Sequence, residues 1–96
     1  MELSNIIKEA RGRKELLMRE LAAKIEVDIA TVSKFEKGDR NPTRSQILKL
    51  ADVLDLDVKI LLTLWLRDRI VNEAVNEEMG LKALKMAEKK IKKLNE

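Results

Sequence analysis

Apolar residues recur along this chain at intervals of three and four, the spacing that places side chains on one face of an α-helix. The pattern predicts a first helix over about residues 3–14 and a second over about residues 18–25. A third, over residues 29–37, is bounded by Asp28, a natural N-cap, and by Gly38, which tolerates a left-handed backbone cheaply. The inward positions of these helices are Leu3, Ile6, Ile7, Ala10, Leu21, Ala22, Ile25, Val32 and Phe35.

The same spacing predicts two further helices in the middle of the chain. Asn41-Pro42 marks a turn, after which Thr43 can cap a fourth helix that ends near Leu54. A fifth helix starts near Asp57 and continues through the sequence LLTLWLRDRIVNEAV.

A last helix is predicted to end near Leu94, with Asn76 as its N-cap and Glu77 and Glu78 in its first turn. Its apolar positions make a stripe spaced 3, 3, 4 and 3, close to a coiled-coil seam but barely two heptads long. Because so short a helix gains little by itself, this stripe must pack on its own domain or on a second subunit. The stripe consists of Leu81, Leu84, Ala87, Ile91 and Leu94.

Composition narrows the class of protein. The 96 residues suit one domain with an added element, and 45% hydrophobic but only 2% aromatic content calls for an aliphatic core. The chain has no His and no Cys, so the commonest catalytic base, thiol nucleophile and zinc ligands are absent. We therefore expect no enzyme, no metal site and no cofactor.

Targeting signals are also lacking. The N-terminal sequence MELSNIIKEA carries charges where a signal peptide needs an apolar run. The apolar stretch at 60–66 is far shorter than the roughly 20 residues of a membrane-spanning helix. We expect a cytoplasmic protein without a membrane segment.

Charge is unevenly distributed along the chain. The net charge is only +3, but residues 29–49 carry five basic side chains against two acidic ones. Residues 50–57, in contrast, carry three Asp and no base. A basic cluster on and after the third helix is compatible with contact with nucleic acid, but charge alone favours the alternative of a merely solvated basic face.

The stretch LAAKIEVDIATVSKFEKGDRNP, residues 21–42, resembles the signature of the Xre type of helix-turn-helix, that of phage repressor and Cro. The resemblance spans about residues 3–62 and implies an all-α fold, a five-helix repressor-like helix-turn-helix domain followed by a C-terminal helical extension. We place the DNA-binding domain at 1–66 and the extension, the expected dimerisation element, at 67–96. The matching positions are Leu21, Ala22, Val27, Thr31, Val32, Ser33, Phe35, Glu36, Gly38, Asn41 and Pro42.

The resemblance also implies a partner and a set of contacts. Double-stranded DNA would be read in its major groove by residues near the start of the third helix, and its phosphates would be held by basic and polar residues around them. An ion pair between Glu36 and Arg11 is expected. The implied base-reading residues are Ile29, Ala30, Thr31, Ser33 and Lys34. The implied phosphate-contacting residues are Arg19, Lys37, Arg40, Asn41 and Arg44.

Four positions depart from the family pattern. Glu15 and Glu26 stand where glycine is usual, and Leu17 and Met18 stand where a cap and a phosphate donor are usual. Glu26 would have to adopt a turn conformation that glycine takes more easily, at a cost of about 1 kcal/mol. A phosphate contact from the start of the second helix is therefore in doubt, and Arg19 is the candidate to supply it.

The resulting interpretation is a transcription regulator that binds an operator as a homodimer through its helix-turn-helix. The alternative is an antitoxin or similar protein, whose helical tail captures a partner protein while DNA binding serves autoregulation. Several residues keep an alternative role: Ile29 and Trp65 in the core, Met18 as core filler, and Asn41 and Thr43 in turn and cap chemistry alone. The candidates for the dimer interface are Trp65, Ile70, Ala74, Leu81, Leu84 and Ile91.

Overall fold

A computed structural model describes all 96 residues and contains six helices and no strand, which confirms the all-α prediction. The chain forms two compact units, Met1–Leu66 (the first unit) and Arg67–Glu96 (the tail unit). None of the helices has the length and apolar character needed to cross a bilayer. The helices are α1 (Leu3–Arg13), α2 (Met18–Lys24), α3 (Ile29–Lys37), α4 (Arg44–Leu54), α5 (Val58–Ala74) and α6 (Gly80–Leu94).

The core of the first unit is aliphatic and is centred on α3. Val32 is fully buried and Phe35 is 2% exposed, and α3 packs against both α1 and α2. Met18 packs against the same cluster from its edge, as its role of core filler requires. The buried side chains of this core are Leu3, Ile7, Ala10, Leu21, Ala22, Ile25, Val32, Phe35, Ile47, Leu50, Ala51, Leu54, Leu61 and Trp65.

Helix boundaries follow from local hydrogen bonds. The Asp28 carboxylate accepts from the N–H of Thr31 at 2.7 Å, and Gly38 ends α3 in the left-handed region with φ 78°. Thr43 and Gln46 form a reciprocal capping box at the start of α4, with bonds of 2.8 and 3.2 Å. The helices α1 to α5 thus begin and end within one or two residues of the predicted positions.

The turn between α2 and α3 contains the strained residue that the sequence predicted. Glu26 has φ 61°, a left-handed conformation that costs an L-residue about 1–2 kcal/mol relative to the right-handed helix. The next residue, Val27, donates its N–H to the Ala22 carbonyl at 2.9 Å, which closes the turn. Glu26 also accepts from the Lys49 ammonium at 3.1 Å, a contact from α4 that helps to hold the turn in place.

One charged side chain is buried in the first unit, and it is paired. The Glu36 side chain is 2% exposed and accepts from Arg11 Nε at 2.6 Å and from Nη2 at 3.0 Å, so the expected ion pair is confirmed. Arg11 also donates to the Leu16 carbonyl at 2.8 Å. The hydrogen bond to the Glu36 carboxylate, with its negative charge, raises the pKa of Arg11 above its usual value.

Trp65 belongs to the core of the first unit, which corrects its place among the interface candidates. It is 8% exposed, and its indole Nε1–H donates to the Pro42 carbonyl at 2.8 Å. A buried indole needs such an acceptor, and this one lies in the turn that follows α3. Of the two roles considered for Trp65, the core role is therefore the one observed.

The start of the last helix was predicted wrongly. Helix α6 begins at Gly80, not after Asn76, and Glu77 and Glu78 lie in the turn before it. The turn is closed by bonds from the Glu77 N–H to the Ala74 carbonyl at 3.1 Å and from the Gly80 N–H to the Glu77 carbonyl at 3.0 Å. A Cβ at Gly80 would lie 2.2 Å from the Ala74 oxygen, so glycine permits this close approach.

Replacing Arg11 by Met should lower the free energy of unfolding by about 3 kcal/mol, because the Glu36 carboxylate would then be buried without its partner. Chemical denaturation measures this value. The matched control is Lys14→Met at the end of the same helix, which breaks the exposed Lys14–Asp55 pair and should cost less than about 1 kcal/mol. Equal costs for the two variants would contradict a structural role for the buried pair.

Candidate nucleic-acid interface

Most of the outward face of α3 is exposed. Ile29 is 52% exposed and lies outside the core, which excludes the core role considered for it. Contact with the major groove of DNA remains the prediction for this residue. Ala30 and Lys34 are exposed as well, whereas Ser33 is half-buried. The opposite face of α3 is packed in the core. The core therefore fixes the backbone positions from which these side chains project.

Thr31 already forms a hydrogen bond at the N-terminus of α3. The Thr31 N–H donates to the Asp28 carboxylate at 2.7 Å, and hydrogen bonding by Thr31 lowers the pKa of Asp28, with smaller contributions from the charges of Lys34 and Arg40. Asp28 therefore stays ionised at neutral pH, and its stabilising contribution is lost only as the pH falls through that lowered pKa. Among the predicted base-reading residues, Thr31 is therefore the one whose N–H takes part in the N-cap of α3.

The predicted phosphate-contacting cations are exposed and have no intramolecular ion pair. Arg19, Lys37, Arg40 and Arg44 all lie at the surface, and none has a carboxylate within 4 Å. In contrast, three other basic side chains of the first unit are paired with a carboxylate: Arg11, Lys14 and Lys49. The surface at and after α3 thus presents cations that form no ion pair within the chain.

The turn from α3 to α4 is built by its backbone and by Thr43. Thr43 uses its hydroxyl for the α4 cap, which agrees with the cap role considered for it. Asn41 is exposed and makes no side-chain hydrogen bond within the chain. Its amide group therefore remains available as a donor or acceptor. The contact from Trp65 to the Pro42 carbonyl fixes this turn from the core side, a link that the sequence pattern did not predict.

The start of α2 has no side-chain cap from its N-cap residue, whereas Asp28 and Thr43 cap α3 and α4. The Glu20 carboxylate accepts from the Leu17 N–H at 2.8 Å, and Leu17 itself supplies no cap. A carboxylate here occupies one of the donors that a phosphate would need, and its charge repels an anion. This geometry agrees with the doubt that the sequence raised, and it leaves the exposed Arg19 as the cation nearest to the start of α2.

The arrangement offers groups of the kind that recognise a nucleic acid. The exposed part of α3 carries an ammonium donor at Lys34 and methyl groups at Ile29 and Ala30, beside cations that have no ion-pair partner. No group of three or more acidic side chains is placed to hold a metal ion.

Comparison with known proteins supports the same assignment. The helix-turn-helix family HTH_3 matches residues 7–61, which is more than half of the chain. Among solved structures, one chain of a complex of SinR protein and SinI protein has a TM-score of 0.57 and 23% identity, covering 95% of this chain and 98% of that chain. An identity this low shows a shared fold alone. Among curated proteins, the comparison found no significant match.

The family match covers α2, the turn, α3 and the Arg11–Glu36 pair, the elements on which the sequence resemblance rested. The chain therefore belongs to the helix-turn-helix family HTH_3 and is a DNA-binding regulator of the Xre type.

Proposed function

We propose that this protein binds a specific operator as a homodimer and regulates transcription by occupying it, without any chemical step. In this proposal α3 lies in the major groove, with Ile29, Ala30, Ser33 and Lys34 at base edges and Thr31 at the margin of the contact. The observation that supports it most strongly is the outward face of α3, which is exposed and flanked by cations without intramolecular partners.

The cations have a role separate from reading sequence. Arg19, Lys37, Arg40 and Arg44, together with the amide of Asn41, would hold phosphates and so set the register of α3 on the duplex. Each neutralised phosphate releases counterions, so the logarithm of the binding constant falls with the logarithm of salt concentration by about 0.9 per contact. Four cations in each subunit therefore give a strongly salt-dependent affinity.

We infer a homodimer because the α3 surface of one chain is too small to recognise a long DNA sequence. One α3 helix contacts only a few base pairs, and two helices one turn of DNA apart, about 34 Å, double the sequence that is read. The tail unit supplies a surface for pairing, because Ile70, Leu81, Leu84 and Ile91 are 40–76% exposed. A two-fold dimer is the commonest closed assembly of soluble proteins.

Capture of a partner protein is the second candidate function. The chain of the SinR and SinI protein complex matches over 95% of this chain, so the match includes most of the tail unit. An exposed apolar tail suits a partner protein as well as a second copy. DNA binding would then serve autoregulation, as in an antitoxin.

Lys34→Ala should cost about 1–3 kcal/mol of binding free energy on the preferred duplex and little on random DNA, because the lysine would be reading base edges. Titration of both duplexes with the purified variant measures the two costs. Equal losses on both duplexes would assign Lys34 to a phosphate instead.

Arg40→Ala should weaken binding to specific and random duplexes alike and reduce the salt slope by about 1 per subunit. The matched control is Lys59→Ala on α5, which removes the same charge outside the α3 surface and should leave the slope unchanged. A slope that Arg40→Ala does not alter would remove this residue from the interface.

The purified protein alone should have the solution mass of two chains at micromolar concentration. Sedimentation equilibrium over a range of concentrations gives the mass and the dimer Kd. A monomer at every concentration would contradict the homodimer and favour capture of a partner protein.

A further inference from the structure

The tail unit has an apolar surface and no core of its own. Gly80 is its only buried residue, although the unit contains two helical segments and many large apolar side chains. An apolar groove runs between the end of α5 and the start of α6 and is lined by Ile70, Ala74, Gly80, Ala83, Leu84 and Ala87. Because helices this short are marginal without tertiary packing, this groove calls for an apolar occupant.

Charge is segregated along the tail unit. Three carboxylates, those of Glu73, Glu77 and Glu78, lie at or beside the turn between the helices, and none of them makes an ion pair within the chain. At the other end of α6 the last two turns carry four ammonium groups, those of Lys89, Lys90, Lys92 and Lys93. Only Lys92 is paired there, through an exposed contact of 3.1 Å with Glu88. Counting Lys82 at the start of α6 and Glu88 and Glu96 near its end, residues 73–82 have a net charge of −2 and residues 88–96 a net charge of +2, with Lys85 between them.

We propose that the groove is filled by the tail unit of a second copy in antiparallel orientation, with the lysine-rich end of each α6 beside the acidic turn of the other. This inference rests on the homodimer of the proposed function and assigns its orientation. The antiparallel arrangement brings the net basic end of each α6 to the net acidic turn of the other chain, once at each end of the two-fold interface.

The parallel arrangement is disfavoured by the same charges. It would place the four lysines of one chain next to the four lysines of the other, and the three carboxylates next to their own copies. Like charges held together at an interface oppose association, so charge selects between two arrangements that apolar contact alone would not distinguish.

The apolar stripe of α6 fits an antiparallel pairing in register. With Ala87 near the crossing point, Leu81 of one chain lies opposite Leu94 of the other, and Leu84 lies opposite Ile91. Large side chains then meet on both sides of a small residue, which allows the two helices to approach closely at their centre. All four large side chains are 42–76% exposed in the single chain, so they are available for such contacts.

The triple variant Glu73→Gln, Glu77→Gln and Glu78→Gln removes the charge of the acidic turn. It tests the orientation by whether the dimer Kd rises or falls. In the antiparallel dimer the attraction is lost and the dimer Kd should rise about tenfold. In a parallel dimer a repulsion is removed and the Kd should fall. The matched control is Glu9→Gln, Glu15→Gln and Asp52→Asn, which changes the net charge equally in the first unit and should leave the Kd unchanged.

Cross-linking gives a second, independent readout, because the chain contains no natural cysteine. A mixture of Glu77→Cys and Lys93→Cys chains treated with a short bifunctional maleimide should give a cross-linked dimer that neither variant gives alone. Cross-linking of each variant with itself would establish the parallel orientation and overturn the inference.

The two proposals fail in different ways. A wild-type chain that is monomeric at every concentration removes the homodimer itself. A wild-type dimer whose Kd falls, or does not change, when the acidic turn is neutralised leaves the homodimer standing and overturns only its antiparallel charge pairing.

Discussion

The ion pair between Arg11 and Glu36 is the constraint on which the rest of the first unit depends. One guanidinium joins α1 to α3 and also binds the Leu16 carbonyl in the loop before α2, so three parts of the motif meet at a single side chain. Because the Glu36 carboxylate is buried, packing α3 without Arg11 would leave that charge unpaired, at a high cost in free energy. The pair thus fixes the orientation of a helix whose other face has no protein cover.

The basic side chains of the first unit fall into two groups, those that form ion pairs and those that do not. Arg11, Lys14 and Lys49 join separate segments through carboxylates, and they hold the frame of the motif. The cations at and after α3 have no such partners. Trp65 completes the arrangement from α5, because its bond to the Pro42 carbonyl fixes the turn that carries Asn41. Rigid support on the inner side and unpaired charge on the outer side together suit the proposed binding of DNA.

The first unit could be predicted from the sequence to a large extent, since strong local signals agreed with one another there. Asp28, Gly38 and Thr43 marked helix ends by chemistry that acts within a few residues, and each marks a boundary in the structure. The start of α6 was missed because Asn76 is a good capping residue, whereas the real boundary depends on Gly80 meeting a backbone carbonyl of α5. The role of Trp65 depended on a contact 23 residues away, which no local pattern encodes.

Selection of bound duplexes from a pool of random sequences tests the central claim most directly, since it requires both base reading and a two-fold assembly. The account predicts an enriched motif with two-fold symmetry, whose half-sites are one helical turn or a multiple of it apart, about 34 Å per turn. The motif should lose information at particular base pairs when Lys34 is replaced by Ala. Salt-sensitive binding without any enriched motif would contradict the account, because the α3 surface would then contact phosphates alone.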